Sequence, residues 1–380
     1  MIKTYTEQME DALWQKWSEY DTDAECTSTI EFLNAEDGFR SFGEGLVALM
    51  QKKDQSMDIE RAITYLTACC RKNGVDEHEI GSTNTLKSWF RGGPRPKKGE
   101  DSRDAMFALA FALRFTPDET AELFHKVYLD RAFNFRNEKE LIYYFCLANE
   151  KTWANAKRLI ASIEYNDEID DATLYTLAIQ SNVEQFSSES ELLTYIKTHR
   201  HNMEQNNVTA KKHLHKLLED AKRFARLEAE LPEHEGQFDG AWKNEDTVSI
   251  NFMYSLITDT TPSAKKGTTT VFKNARLPKE IKNRFPEAGS FSEKEPTYES
   301  TRKMIIFLFS YTFWYHVQWE QKDFDIEDYT EQLNALLNEC GFSSLYCGNP
   351  YDWMFLYCTL SDAPLDVFRG MVSESLSEEE

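Results

Sequence analysis

The sequence predicts an all-α protein. Three observations lead there. Apolar residues recur three and four positions apart through most of the 380 residues, the spacing that lines one face of a helix. Many of these segments open with Ser, Thr, Asp or Asn, and one closes on Gly, the residues that satisfy free helix ends. No alternation of strand and helix patterns and no fixed-period repeat runs along the chain.

Met9, Leu13 and Trp17, four apart, predict a first helix over "TYTEQMEDALWQKWSEY". Phe42, Leu46 and Met50 mark a second. Ile63, Leu66 and Cys70 line "DIERAITYLTACCRKNG", which Gly74 closes as a C-cap. "VDEHEIG" follows as a connection. With Ser82 or Thr83 as N-cap, Leu86, Trp89 and Phe90 fall at i, i+3 and i+4, predicting a short helix that ends at Phe90. Gly92 and Gly93 stop it, and Pro94 and Pro96 stiffen the exit. Ser102 is placed to cap a helix with Met106, Leu109, Ala110 and Leu113 inward. Thr116, Pro117 and Glu119 form a capping box with proline at the first helical position. "NEKELIYYFCL" and "TWANAKRLIASIE" read as a helix pair. "DDATLYTLAIQS", "SESELLTYIKTHRHN" and "AKKHLHKLLEDAKRFARLEAE" predict three more helices, whereas "TVSINFMYSLIT" fits helix or strand. Residues 298–319, 326–340, 350–360 and 364–376 return to helical spacing. The organisation expected is an N-terminal helical extension (1–40), a helical domain (41–165), a helical middle region (166–258), a basic irregular linker (259–297) and a C-terminal helical domain (298–380).

Aromatic residues make up 13% of the chain, which places it among folded proteins. The net charge of −22 should repel nucleic acid unless positive charge is grouped. It is grouped twice. Residues 82–103 hold Lys87, Arg91, Arg95, Lys97, Lys98 and Arg103 against Glu100 and Asp101. Residues 265–284 hold Lys265, Lys266, Lys273, Arg276, Lys279, Lys282 and Arg284 against Glu280. This second group reads first as a solvated loop, and otherwise as an additional contact to a nucleic-acid backbone.

The most apolar stretch, "MIIFLFSYTFWYHVQW", is short and holds His316 and Gln318, so it reads as a core helix and no membrane span is expected. The N-terminus lacks the apolar run of a signal peptide, so a cytoplasmic location is expected. Seven cysteines without paired spacing read as small core residues. His199 and His201, like His213 and His215, are two apart and fall on different sides of a helix, which argues against a metal site. No phosphate-binding loop, dinucleotide fingerprint or nucleophile elbow occurs. No catalytic residue, cofactor or metal is therefore expected. The aromatic run at residues 349–358 reads as a core helix, with a partner-binding groove as the lesser alternative.

The outward side of the short helix carries Asn84, Thr85, Lys87, Ser88 and Arg91, side-chain types that touch base edges and phosphates. With Arg95, Lys97 and Lys98 they form the candidate DNA-binding set. Trp89, Gly92–Gly93 and Pro94–Pro96 resemble the end of the recognition helix in the phage-repressor (Xre/Cro-like) type of helix-turn-helix. "SRDAMFALAFALRFTPDETAELFHKVY" resembles the helices that close such a domain. This resemblance implies a helix-turn-helix-like domain in the N-terminal third, with duplex DNA as partner. A looser resemblance joins "RAFNFRNEKELIYYFCL" and "YCGNPYDWMFLYCTLSDAPLDVFR" to uncharacterised proteins carried by mobile elements of anaerobic Gram-positive bacteria. The expectation is a non-enzymatic DNA-binding regulator or accessory protein of a bacterial mobile element, with a protein partner taken through the C-terminal domain. The alternative is a protein-interaction scaffold or phage-defence-associated protein whose helix-turn-helix does not touch DNA.

Overall fold

The computed structural model describes residues 26–34, 39–97, 99–163, 176–204, 208–231, 248–260, 275–277, 281, 285–293, 297–322 and 325–376. Among them are seventeen α-helices and no strand, so the chain is all-α. The helix expected over residues 4–20 lies outside the described residues, as do most of the 259–297 segment and Lys98. The chain divides into two compact units. One falls within Arg40–Asn206, the other within Glu7–Phe39 and Asn207–Glu380. In sequence, the first is inserted into the second.

The first described helix, α1 (Cys26–Asn34), belongs to the second unit. The first unit then runs through α2 (Phe42–Gln51), α3 (Ile59–Asn73), α4 (Glu77–Ile80), α5 (Thr83–Trp89), α6 (Glu100–Ala112) and α7 (Pro117–Glu122). A π-helical turn (Leu123–Tyr128) continues α7, and α8 (Glu138–Ala148), α9 (Trp153–Ala161), α10 (Thr176–Gln185) and α11 (Glu189–Glu204) complete it.

Caps explain most boundaries. Ser41 and Glu44 exchange hydrogen bonds as a capping box at α2. Gly74 ends α3 in the left-handed region at φ +67°. The Thr116–Glu119 box with Pro117 starts α7 as the sequence predicts. Two local expectations are corrected. "VDEHEIG" is no plain connection: Asp76 accepts the His78 amide and starts the one-turn helix α4, with Ile80 turned into the core. Helix α6 begins at Glu100 from an uncapped Gly99, ahead of the expected Ser102 cap. It is buried nearly all round, with Phe107, Ala108, Phe111 and Ala112 inside as well as the predicted Met106, Leu109, Ala110 and Leu113.

One guanidinium organises the middle of this unit. Arg103, 8% exposed, donates to Glu140 Oε1 and Oε2 at 2.8 Å each, to Asp130 at 3.1 Å and to the carbonyls of Arg131 and Ala132. Burial opposes its charge, but the Glu140 and Asp130 carboxylates hold it protonated well above the ordinary range. Its place in the basic group at residues 82–103 is therefore internal.

The second unit packs α1 with α12 (Val208–Ala229), α13 (Ile250–Thr258), α14 (Tyr298–Gln318), α15 (Ile326–Glu339), α16 (Pro350–Cys358) and α17 (Pro364–Leu376). The ambiguous "TVSINFMYSLIT" is helical: Ser249 caps it, and Met253, Leu256 and Ile257 enter the core. Helix α14, the most apolar stretch of the sequence, is a core helix, and no described helix is long and apolar enough to cross a membrane. The aromatic run at residues 349–358 is the buried α16. Two ion networks sit inside. Glu228, fully buried, accepts Tyr311 Oη at 2.8 Å and Arg369 at 2.6 Å. Arg302 meets Asp352 through two bonds of 2.9 Å. A buried charge persists only with such partners.

The expected 166–258 region is shared out: α10 and α11 pack with the first unit, α12 and α13 with the second. Truncating Trp89, 4% exposed against Phe42, should destabilise the first unit by about 3–5 kcal/mol. Denaturant unfolding of Trp89→Ala against the wild type measures it, and an unchanged midpoint would refute the packing.

Candidate nucleic-acid interface

Helix α5 has only seven residues, too few to be stable alone, so its orientation comes from packing. Ser82 caps it by accepting the Thr85 amide at 3.1 Å. Leu86, Trp89 and Phe90 are 2, 4 and 3% exposed, the buried face that the sequence predicts. The Trp89 ring meets Phe42 edge-on at 4.8 Å between centroids. Gly43 makes that approach possible, since a Cβ there would lie 2.3 Å from the Trp89 carbonyl oxygen. At the far end Gly92 takes φ +77°, and the Gly93 amide donates to the Ser88 carbonyl at 2.7 Å.

The opposite side is then fixed. Asn84, Thr85, Lys87 and Arg91 are exposed, and Ser88 is half-buried. The Thr85 hydroxyl shares a 2.8 Å bond with Ser82 and so serves the cap as well. Neither the Lys87 nor the Arg91 side chain has a hydrogen bond or ion pair among the described residues, and the Lys97 side chain is likewise exposed. Two of the three acidic residues at 76–79 have partners of their own. Asp76 caps α4, and Glu79 accepts the Trp153 indole N–H and the Lys157 ammonium.

Arg95 departs from the expectation of a phosphate contact. It is half-buried, and its guanidinium donates to the Val127 carbonyl at 2.8 Å and the Arg40 carbonyl at 2.9 Å. The Tyr128 hydroxyl donates to the Lys97 carbonyl at 2.9 Å. These bonds fasten the loop after α5 to the end of the π-helical turn.

The second basic group has one described member with a side-chain role. Arg276 donates to the carbonyls of Ser375 and Glu374 and to the Glu374 carboxylate, which ties it to α17. The His213 ring lies 3.2 Å from Glu339, and His199 packs on Tyr195 at 4.5 Å. No group of metal-ligating side chains occurs among the described residues.

No protein-family model, curated protein or solved structure matches this chain. The interface is therefore judged on its own geometry: a capped helix, buried on one side, with two unpaired cations and an amide on the other.

Arg95→Ala should leave two partly buried carbonyls without a donor, at a cost of about 1–3 kcal/mol. Thermal unfolding of the variant tests this, and a wild-type midpoint would return Arg95 to the solvent-facing set.

Proposed function

We propose that the first unit binds duplex DNA with α5 presented to the major groove, as a helix-turn-helix of the phage-repressor type, and that the protein serves as a non-catalytic regulator or accessory factor. In this reading α4 is the first helix of the motif, Gly81–Ser82 the turn and α5 the recognition helix. The observation that carries it is the pair Lys87 and Arg91, exposed and unpaired on the outer side of a helix whose inner side is locked in the core. Lys87, Arg91 and Lys97 reach phosphates, while Asn84 and Ser88 reach base edges, an asparagine being suited to a bidentate contact with adenine. The setting in a bacterial mobile element follows from the resemblance of residues 131–147 and 346–369 to proteins of such elements.

A second reading is favoured by the net charge of −22: a scaffold whose helix-turn-helix holds a protein partner, with the second unit as a further docking body. Salt titration separates the two. Fluorescence anisotropy with mixed-sequence duplex should detect binding at low salt that weakens steeply as salt rises. Each phosphate contact contributes about 0.9 to the slope of log affinity against log salt, so Lys87→Ala with Arg91→Ala should flatten it by about 1.8. Asn84→Ala should leave the slope unchanged and relax discrimination among sequences in a selection experiment. No binding by the unaltered protein at low salt overturns the DNA reading in favour of the scaffold.

A further inference from the structure

The one-turn helix α4 places three acidic residues, Asp76, Glu77 and Glu79, next in sequence to the helix that carries Lys87. What becomes of Glu79 is informative. Its carboxylate accepts the Trp153 indole N–H and sits 2.7 Å from Lys157 Nζ. Trp153 and Lys157 are four apart on α9, so both project from one face. That helix is rigidly seated: Trp153 is 5% exposed, stacked on Tyr143 at 5.3 Å and against Phe111 at 5.2 Å. It is held from its other side as well, because Lys151 and Arg158 both reach Glu189 at the start of α11. Hydrogen bonds from Arg158 and Lys151 keep the Glu189 carboxyl below the usual range, so the tie is ionic at neutral pH.

Four residues make a single helical turn, below the length at which a helix sustains itself. Helix α4 therefore takes its position from its anchors: the Asp76 cap, Ile80 in the core and the Glu79 carboxylate. Helix α4 packs mainly along α6, and the Glu79 carboxylate adds a polar tie to α9.

We propose that Glu79, Trp153 and Lys157 are positioning residues for DNA binding: α9 helps hold α4 in the docking geometry through the Glu79 carboxylate. The inference rests on the DNA reading above. It makes a prediction opposite to simple electrostatics, in which removing an acidic residue near a phosphate-binding surface strengthens binding.

The test uses the full chain and the same mixed-sequence duplex, after the unaltered protein has been shown to bind. Glu79→Ala is expected to weaken binding on the order of fivefold, the size of one hydrogen bond, with its salt slope unchanged because no phosphate contact is lost. Glu79→Gln keeps an acceptor for the Trp153 N–H and should recover most of the loss. Trp153→Phe keeps an aromatic side chain and the net charge, removes the indole N–H together with part of the ring, leaves the Lys157 contact, and should weaken binding in the same direction by a smaller factor. In the Glu79→Ala background it should add nothing, the signature of one shared interaction. Thermal midpoints near wild type separate positioning from loss of fold, and the half-exposed Glu79 supplies the test if Trp153→Phe does not fold. A Glu79→Ala protein that binds as tightly as wild type, or more tightly, overturns the inference and leaves the DNA reading standing. Absent binding by the unaltered protein instead overturns the DNA reading itself.

Discussion

The contact on which the first unit's surface depends is the seat of Trp89 between Phe42 and the bare backbone at Gly43. A helix of seven residues has no stability of its own, so burial of one face decides its rotation. With Leu86, Trp89 and Phe90 inside, the helical angle of about 100° per residue leaves Asn84, Lys87 and Arg91 outside. Any residue with a Cβ at position 43 would force the two backbones apart and turn that face. The chemistry offered to a partner is thus a consequence of core packing several helices away in sequence.

Basic residues in this chain do two different jobs, and net charge does not distinguish them. Arg103, Arg302 and Arg369 are internal connectors, each meeting a carboxylate and carbonyl oxygens in a medium where an unpaired charge would be too costly to keep. Arg95 likewise collects loop carbonyls. Lys87 and Arg91 are the opposite case, solvated and unpaired. The planar fork of arginine suits it to collecting several loop carbonyls at once, which explains why the loops after α7 and before α16 are organised around it.

The all-α class, the caps at Thr116 and Gly74, and the inward set Leu86, Trp89 and Phe90 were all legible in the sequence, because each rests on interactions between residues close in the chain. Periodicity reports which side of a helix is apolar, and caps report where a helix must stop being satisfied by itself. The four-residue α4 was not legible, since one turn is too short to show a period and its cap, Asp76, also fits a turn.

Tertiary structure alone decided which core each helix joins, which arginines face inward, and where the acidic side chains go. The apolar stripe of α1 is no different in kind from that of α2, yet α1 packs with residues more than three hundred positions later, as Thr29 and Tyr357 record with a 3.1 Å hydrogen bond. Side-chain charge is a property of the residue, but its availability depends on partners brought from afar: Glu79 is an acid in the sequence and a clasp for Trp153 in the fold. The sequence by itself determined most of the longer helices and their faces, through local sterics and solvation. The burial of some charges and the exposure of others came only from long-range packing, because desolvation is a property of the assembled core and not of any single segment.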